Sequence, residues 1–126
     1  MEKKKILVVD DEADLITFVK ARLEINNYEV LTATDGEEAM REMEKTKPDL
    51  VILDILLPKL DGYRVCELMK KDQRYAHIPI IMLTAKDQKS DILLAKKIGA
   101  DAYITKPFES DLLLFDIKKF LERKTV

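Results

Sequence analysis

Four short apolar runs in this sequence each lead into a polar residue that a buried strand rarely carries. The runs cover residues 6–9, 50–53, 80–83 and 102–105, and the polar residues that follow them are Asp10, Asp54, Thr84 and Lys106. A carboxylate such as Asp54 would cost several kcal/mol if it were buried without a partner. If the runs are neighbouring parallel strands, the four polar groups meet at the carboxyl end of one sheet. The pattern therefore predicts a parallel sheet with a polar pocket at that end.

Helical patterns separate the apolar runs, so that strands and helices alternate along the chain. Strands are predicted at residues 6–9, 28–33, 50–53, 79–83 and 102–105, and the last two helices at residues 90–98 and 108–123. Such alternation is typical of a parallel sheet with helices on both faces and right-handed crossovers. We therefore predict a doubly wound α/β fold, (βα)5, with a five-stranded parallel sheet.

Charged and hydroxyl residues indicate where the helices begin. Asp14 is predicted to cap the first helix, and Thr34 with Glu37 has the spacing of a capping box for the second. The first helix is predicted to bury one stripe of side chains, formed by Leu15, Phe18, Val19 and Leu23. These local patterns predict which side of each helix faces the sheet.

Composition and charge exclude several classes of protein. With 126 residues, 47% hydrophobic and 37% charged, the chain is predicted to fold around one core. The net charge is −2 and Lys and Arg do not cluster, so we expect no direct nucleic acid binding by this domain. No apolar stretch approaches the ~20 residues of a membrane span. We expect no signal peptide, because the first apolar run is short and ends in acids, and a single cysteine, Cys66, fits the reducing cytoplasm.

The polar residues at the strand ends suit a metal ion and a phosphoryl group. Asp10, Asp11 and Asp54 would bring three carboxylates together, which repel one another unless a cation joins them. Oxygen ligands without His or Cys favour Mg²⁺, or Mn²⁺, over Zn²⁺. Lys106 adds a positive charge and Thr84 a hydroxyl donor, which together can neutralise phosphoryl oxygens. Asp54 is thus predicted to act as a nucleophile and to become an aspartyl phosphate.

Five motifs occur in an order and spacing that are specific to one family. They are Val8-Val9-Asp10-Asp11-Glu12, Asp54 followed by Pro58 and Asp61-Gly62, Leu83-Thr84-Ala85, Gly99-Ala100-Asp101, and Lys106-Pro107-Phe108. Through them, and over essentially its whole length, the chain resembles the response-regulator receiver domains of two-component signal transduction. The resemblance implies a flavodoxin-like sheet with strand order 2-1-3-4-5, for which a chemotaxis receiver is a standing example. It also implies a single receiver domain over residues 1–126, without an output domain in this chain.

The resemblance assigns a metal site and a phosphoacceptor. Asp54 would be the phosphoacceptor, and the ion would be Mg²⁺. Asp11, Asp54 and the backbone carbonyl of Leu56 would bind the ion directly, whereas Asp10 would act largely through water.

The resemblance also assigns a switch. Thr84 and Lys106 would contact the phosphoryl oxygens. Tyr103 stands at the position of the switch aromatic, which is expected to turn inward when Thr84 moves toward the phosphate. The Lys106–Pro107 peptide bond is expected to be cis, an isomer that proline makes accessible.

The implied function is that of a phosphorelay switch. The phosphoryl donor would be a phosphohistidine on a sensor histidine kinase or a histidine phosphotransfer protein. The domain would catalyse its own phosphorylation and slow dephosphorylation, and it would not be a turnover enzyme. Whether it stands alone or is the N-terminal part of a longer regulator stays open.

The last helix carries more apolar residues than one buried stripe needs. Four of them can face the sheet, which leaves Leu112 and Phe115 partly outside it, and the segment at residues 90–98 adds Leu93 and Leu94. We hypothesise that these four residues form a contact surface for an output partner or a second protomer, because many receivers signal through this face. Ordinary exposed apolar side chains are the alternative interpretation.

Two other functions use similar groups. A Mg²⁺-dependent aspartyl-phosphate phosphatase or phosphotransferase usually carries its nucleophile on the first strand, with a second Asp two residues on. Here Asp10 and Asp11 are adjacent and position 12 is Glu. A binding module that no longer accepts phosphate is the third interpretation, against which the complete set of polar residues argues.

Overall fold

The fold is built from five strands and the helices that connect them. The computed structural model describes residues 2–85, 93–94 and 96–122. Its elements are β1 (Lys5–Val9), α1 (Ala13–Ile25), β2 (Glu29–Ala33), α2 (Gly36–Thr46), β3 (Leu50–Asp54), α3 (Gly62–Lys71), β4 (Ile80–Ala85), β5 (Ala102–Lys106) and α4 (Ser110–Glu122). All five predicted strands are confirmed, each with bounds that differ by no more than two residues.

The five strands form one parallel sheet in the order β2-β1-β3-β4-β5. This confirms the predicted doubly wound α/β fold. The central strands β1 and β3 are buried on both faces, which explains why they read as unbroken apolar runs. Strand β2 lies at an edge of the sheet with one neighbouring strand, which explains why it is more polar than the central strands. The register brings the carboxyl ends of β1, β3, β4 and β5 to the same end of the sheet.

The core has two layers, one on each face of the sheet. Alternate side chains of each strand enter opposite layers, so that Leu7 packs in one and Val8 in the other. Helices α2 and α3 cover the first layer, to which they contribute Met43, Cys66 and Met69 among others. Helices α1 and α4 cover the second layer. A buried side chain of this size stabilises the fold by about 1.5–3 kcal/mol.

Two local predictions about α1 are wrong. The residue before the helix is Glu12, so Asp14 lies in the first turn instead of capping it. Phe18 was predicted to be buried, yet its side chain is 53% exposed, while Val19 and Leu23 are buried. Phe18 lines a groove with Pro107 on the outer side of α1, because the sheet takes only the narrow arc that Val19 and Leu23 occupy.

The cap of α2 is shifted by one residue from the prediction. Asp35 is the N-cap, and its carboxylate accepts a hydrogen bond from the backbone N–H of Glu38 at 2.7 Å. Glu38 in turn accepts bonds from the backbone N–H and the hydroxyl of Thr34. Asp35 takes this position because a short carboxylate on an extended backbone reaches the first turn directly.

The predicted helix over residues 90–98 falls partly outside the described residues. Residues 93–94 and 96–97 are helical, and Gly99 follows with a φ of 101°, as a C-cap glycine would have. The side chains of Leu93 and Leu94 are exposed, as are those of Leu112 and Phe115 on α4. Among the helices of the described ranges, none combines the length and the apolar character that crossing a bilayer requires.

Candidate functional site

Three carboxylates meet at the carboxyl end of the sheet. Asp10 follows β1 and Asp54 closes β3, and the two strands pair so that Val9 lies opposite Leu53. One ligand oxygen from each of Asp10, Asp11 and Asp54 lies within 4.8 Å of the others. Asp10 is fully buried and Asp54 is 7% exposed, whereas Asp11 faces solvent. This three-carboxylate cluster is therefore a pocket with one open side.

The environment of Asp54 disfavours its charged form. Burial is the larger cause and the charge of Asp10 the second, and together they raise the pKa of Asp54 from an ordinary 3.8 to about 6. Lys106 and the backbone N–H of Leu56 act in the opposite direction without compensating. A cation in the pocket would relieve this unfavourable charge. The donors are all carboxylate oxygens, so the residues present fit Mg²⁺ or Mn²⁺.

Lys106 reaches into the cluster from the end of β5. Its Nζ donates to Asp10 Oδ2 and to Glu12 Oε1, both at 2.9 Å, and lies 3.4 Å from Asp54 Oδ2. Burial by itself lowers the pKa of Lys106, but the hydrogen bonds to Asp10 and Glu12 and the nearby carboxylate charges raise it above its usual range. Lys106 is therefore a fixed positive charge beside Asp54.

The hydroxyl of Thr84 is buried at the end of β4. The backbone N–H of Ile55 donates to the Leu83 carbonyl at 3.2 Å, which holds the segments after β3 and within β4 side by side. Within the described residues, Thr84 Oγ1 has no hydrogen-bond partner. Leaving a buried hydroxyl unpaired costs about 1–3 kcal/mol. This donor is available to an oxygen ligand at the strand ends.

Tyr103 on β5 lies diagonally opposite Thr84 on the neighbouring strand β4. In the register Tyr103 pairs with Met82, and strand alternation turns Met82 and Thr84 to the same face. Tyr103 is half-buried against the first core layer, and Lys96 Nζ lies 5.3 Å from the centre of its ring. The two residues are thus diagonal neighbours on one face, within reach of each other's movements.

The loop after β3 is held close to Asp54 by a glycine. Gly62 opens α3 and donates its N–H to the Ile55 carbonyl at 2.9 Å. A Cβ at position 62 would collide with the backbone carbonyl oxygen of Asp54. The sequence analysis used Asp61-Gly62 only as part of a family motif, so this close approach was missed. The side chain of Leu56 points to solvent, and the metal-ligand role of its carbonyl stays a prediction.

The structure brings together most of the residues that the strand ends predicted. Asp10, Asp11, Asp54 and Lys106 share the pocket, and Thr84 lies at the adjacent strand end. The Lys106–Pro107 peptide bond is cis, as the resemblance implied. Sequence reasoning gave no role to Glu12, because its contact with Lys106 joins residues far apart in the sequence.

Known proteins share this sequence pattern and this fold. A family described as the response regulator receiver domain matches residues 6–118. The alkaline phosphatase synthesis transcriptional regulatory protein PhoP of Bacillus subtilis is 47% identical over 123 residues, which are 98% of this chain and 50% of that protein. The chain spans about half the length of the curated relatives it matches.

Solved structures give the same result. The signal receiver domain of a signal transduction histidine kinase from Syntrophus aciditrophicus has a TM-score of 0.90 and 34% identity, covering 98% of this chain and 95% of that one. The chemotaxis response regulator CheY4 of Vibrio cholerae has a TM-score of 0.88 and 31% identity, covering 95% of this chain and 100% of that one. The chain therefore belongs to the response regulator receiver domain family.

Proposed function

We propose that this domain accepts a phosphoryl group on Asp54 and passes the signal on by a change of conformation. The donor is a phosphohistidine on a sensor histidine kinase or a histidine phosphotransfer protein, and the reducing cytoplasm is the location that buried Cys66 favours. One observation carries the proposal. Asp54 is a buried carboxylate beside two other acids and a lysine, in a pocket that is open on the side of Asp11.

The proposed transfer exchanges one bond for another. A carboxylate oxygen of Asp54 attacks phosphorus, the bond from phosphorus to the donor imidazole nitrogen breaks, and its electron pair stays on that nitrogen. In the dephosphorylation that resets the switch, water attacks phosphorus and the bond from phosphorus to Asp54 breaks. Asp54 then returns to a carboxylate, and the two protons of the attacking water stay on the inorganic phosphate or pass to solvent. Both steps occur once per signal, which is why we propose no turnover of external substrates.

Each neighbour of Asp54 has a proposed task. Asp11, Asp54 and the Leu56 carbonyl would hold Mg²⁺, with Asp10 acting through water, and the bound ion would offset charge on the phosphoryl oxygens. Lys106 would neutralise one phosphoryl oxygen, which its 3.4 Å distance from Asp54 Oδ2 supports.

The proposed switch starts at the hydroxyl of Thr84, which has no hydrogen-bond partner among the described residues. A phosphoryl oxygen would give this hydroxyl its missing partner, and Thr84 would move toward it. The space on that face would then admit Tyr103, which lies diagonally adjacent. Phosphorylation would thereby shift a pre-existing equilibrium between two conformations.

The signal leaves the domain through an apolar surface in this proposal. Leu93, Leu94, Leu112 and Phe115 are all exposed, and we propose that they contact an output partner or a second protomer. The relative from Bacillus subtilis is a transcriptional regulator, so an output that controls transcription is the first candidate. Direct nucleic acid binding by this domain is not proposed, because its net charge is −2.

Incubation with acetyl phosphate and Mg²⁺ tests the phosphoacceptor. We expect the intact mass to increase by one acid-labile phosphoryl group, and Asp54→Asn to abolish that increase. Asp49→Asn is the matched control, because Asp49 lies at the amino end of the same strand, where its carboxylate accepts a hydrogen bond from the backbone N–H of Lys5. Undiminished labelling of Asp54→Asn would refute the proposal. Turnover of a generic phosphate ester would favour a phosphatase instead.

A further inference from the structure

Glu12 precedes α1, but its side chain does not cap the helix. It is the N-cap residue, and within the described residues its side chain makes no capping hydrogen bond. Its carboxylate instead accepts a hydrogen bond from Lys106 Nζ at 2.9 Å, across the groove between α1 and the end of β5. The side chain of Glu12 therefore pairs with Lys106 and not with the backbone of the first helical turn.

The backbone of Glu12 also binds Asp10, the other close partner of Lys106. The backbone N–H of Glu12 donates to Asp10 Oδ1 at 2.9 Å, while Asp10 Oδ2 accepts from Lys106 at 2.9 Å. Lys106 thus has two short contacts, to Asp10 and Glu12, and a longer one of 3.4 Å to Asp54. The ammonium group is displaced toward the β1–α1 side of the pocket, away from the carboxylate beside which a phosphoryl group would form.

We infer that Glu12 is a positioning residue that holds Lys106 in the unphosphorylated domain and competes with the phosphoryl group for it. This inference rests on the proposed function of Asp54. A phosphoryl oxygen on Asp54 would lie on the side where the contact of Nζ is longest, so a move of Nζ toward that oxygen would lengthen its contact with Glu12. Glu12 therefore sets how readily the domain takes up a phosphoryl group.

The expected size of the effect follows from the exposure of the pair. Glu12 is solvent-exposed, and ion pairs of this kind are weak. Releasing Lys106 with Glu12→Gln should tighten binding of a phosphoryl mimic by about two- to five-fold. The effect requires the lysine, so it should vanish where Lys106 is already replaced.

Titration of the intact chain with beryllofluoride, at saturating Mg²⁺, tests this in a double-mutant cycle. The four proteins are wild type, Glu12→Gln, Lys106→Met and the double variant, and the dissociation constant is measured by calorimetry. We expect Glu12→Gln to bind more tightly than wild type, and the double variant to bind as Lys106→Met does. Equal gains in both backgrounds would show that Glu12 acts only by general repulsion, which overturns the inference.

Asp14→Asn is the matched control. Asp14 is exposed, lies on the same groove and loses the same charge, but no hydrogen bond or ion pair to Lys106 is described for it. It should leave the dissociation constant unchanged, and a gain equal to that of Glu12→Gln would overturn the inference. Wild type that binds the mimic while Glu12→Gln does no better refutes the role of Glu12 alone. Wild type that neither binds the mimic nor labels at Asp54 refutes the proposed function, and this inference with it.

Discussion

The two ends of the sheet both hold partly or fully buried charged groups, but their hydrogen bonding differs. At the amino end, Asp101 Oδ2 accepts from the backbone N–H of Ile80 at 2.8 Å and from Lys70 Nζ at 3.0 Å. Lys70 also donates to the Ile78 carbonyl at 3.0 Å. At the carboxyl end, Asp54 carries a raised pKa and the described surroundings leave Thr84 Oγ1 unpaired.

The difference separates a structural polar network from a functional one. Asp101 and Lys70 tie α3, the start of β4 and the start of β5 together, and their bonds are already made in the resting fold. The groups around Asp54 are short of positive charge and of one hydrogen-bond acceptor. In the proposed function, a metal ion would supply the positive charge and a phosphoryl group the acceptor. Polar groups with a perturbed pKa often mark functional sites.

The largest effect is expected at the amino end. Asp101→Ala leaves the backbone N–H of Ile80 and the ammonium of Lys70 without their shared acceptor, and should lower the free energy of unfolding by about 2–3 kcal/mol. Urea denaturation measures this. Asp101→Asn, which keeps a carbonyl acceptor, should lose less. If Asp101→Ala unfolds like wild type, the amino end is not the structural network described above.

Asp54→Asn should raise the free energy of unfolding, whereas Asp101→Ala should lower it. The fold raises the pKa of Asp54 to about 6, so the folded protein binds this proton more tightly than the unfolded chain does. Wild-type stability should therefore fall as the pH rises from about 4 to about 6, and the variant should escape this loss. In metal-free buffer at pH 7 we expect a gain of about 1–2 kcal/mol, allowing for solvent screening.

The pH dependence provides the control for this variant. Below the ordinary pKa of 3.8, Asp54 is protonated in both states, so wild type and Asp54→Asn should unfold alike. Denaturation curves at several pH values in a chelator give the difference directly. A variant that is less stable than wild type at pH 7 would mean that the charge of Asp54 is well compensated without a metal.

Mg²⁺ should stabilise the fold through the carboxyl end alone. At ten times its dissociation constant, a ligand that binds only the native state adds about 1.4 kcal/mol. Thermal unfolding with and without Mg²⁺ should show this gain in wild type and in Asp101→Asn, and a reduced gain in Asp11→Asn. An equal gain in all three proteins would place the ion somewhere other than the three-carboxylate cluster.

Thr84→Val is expected to have the smallest effect on stability. It replaces a buried hydroxyl that lacks a partner in the described part of the chain by a methyl group of similar size, and should stabilise the resting fold by about 0.5–1 kcal/mol. It should also weaken beryllofluoride binding, because the donor is gone. Thr105→Val, at the paired position on β5, is the control. A loss of stability in Thr84→Val would show that the hydroxyl is already satisfied.

Much of the fold and the pocket could be predicted because both follow from strand ends. A strand buried on two faces must be apolar, so Asp54 and Thr84 stood out where β3 and β4 end. Parallel pairing then brings strand ends together whatever the details of the helices. The cap of α2 was missed by one residue, because Thr34 and Asp35 are both good caps and only the backbone conformation decides between them.

The errors concern contacts that depend on how elements pack. Phe18 fits a helical stripe as well as Val19 does, and only the placement of α1 on the sheet leaves it outside. Glu12 was given no role, and its contact with Lys106 joins the end of β5 to the start of α1, which are far apart in the sequence. No local pattern encodes that pair, since it forms only after the sheet has assembled.

Localisation of the phosphoryl group tests the central claim most directly. After incubation with acetyl phosphate and Mg²⁺, borohydride reduces an aspartyl phosphate to homoserine, which peptide mass spectrometry can assign to one residue. We predict homoserine at position 54 and at no other aspartate, and none without Mg²⁺. Reduction at Asp10 or Asp11, or no reduction anywhere, would contradict the assignment of Asp54 as the phosphoacceptor.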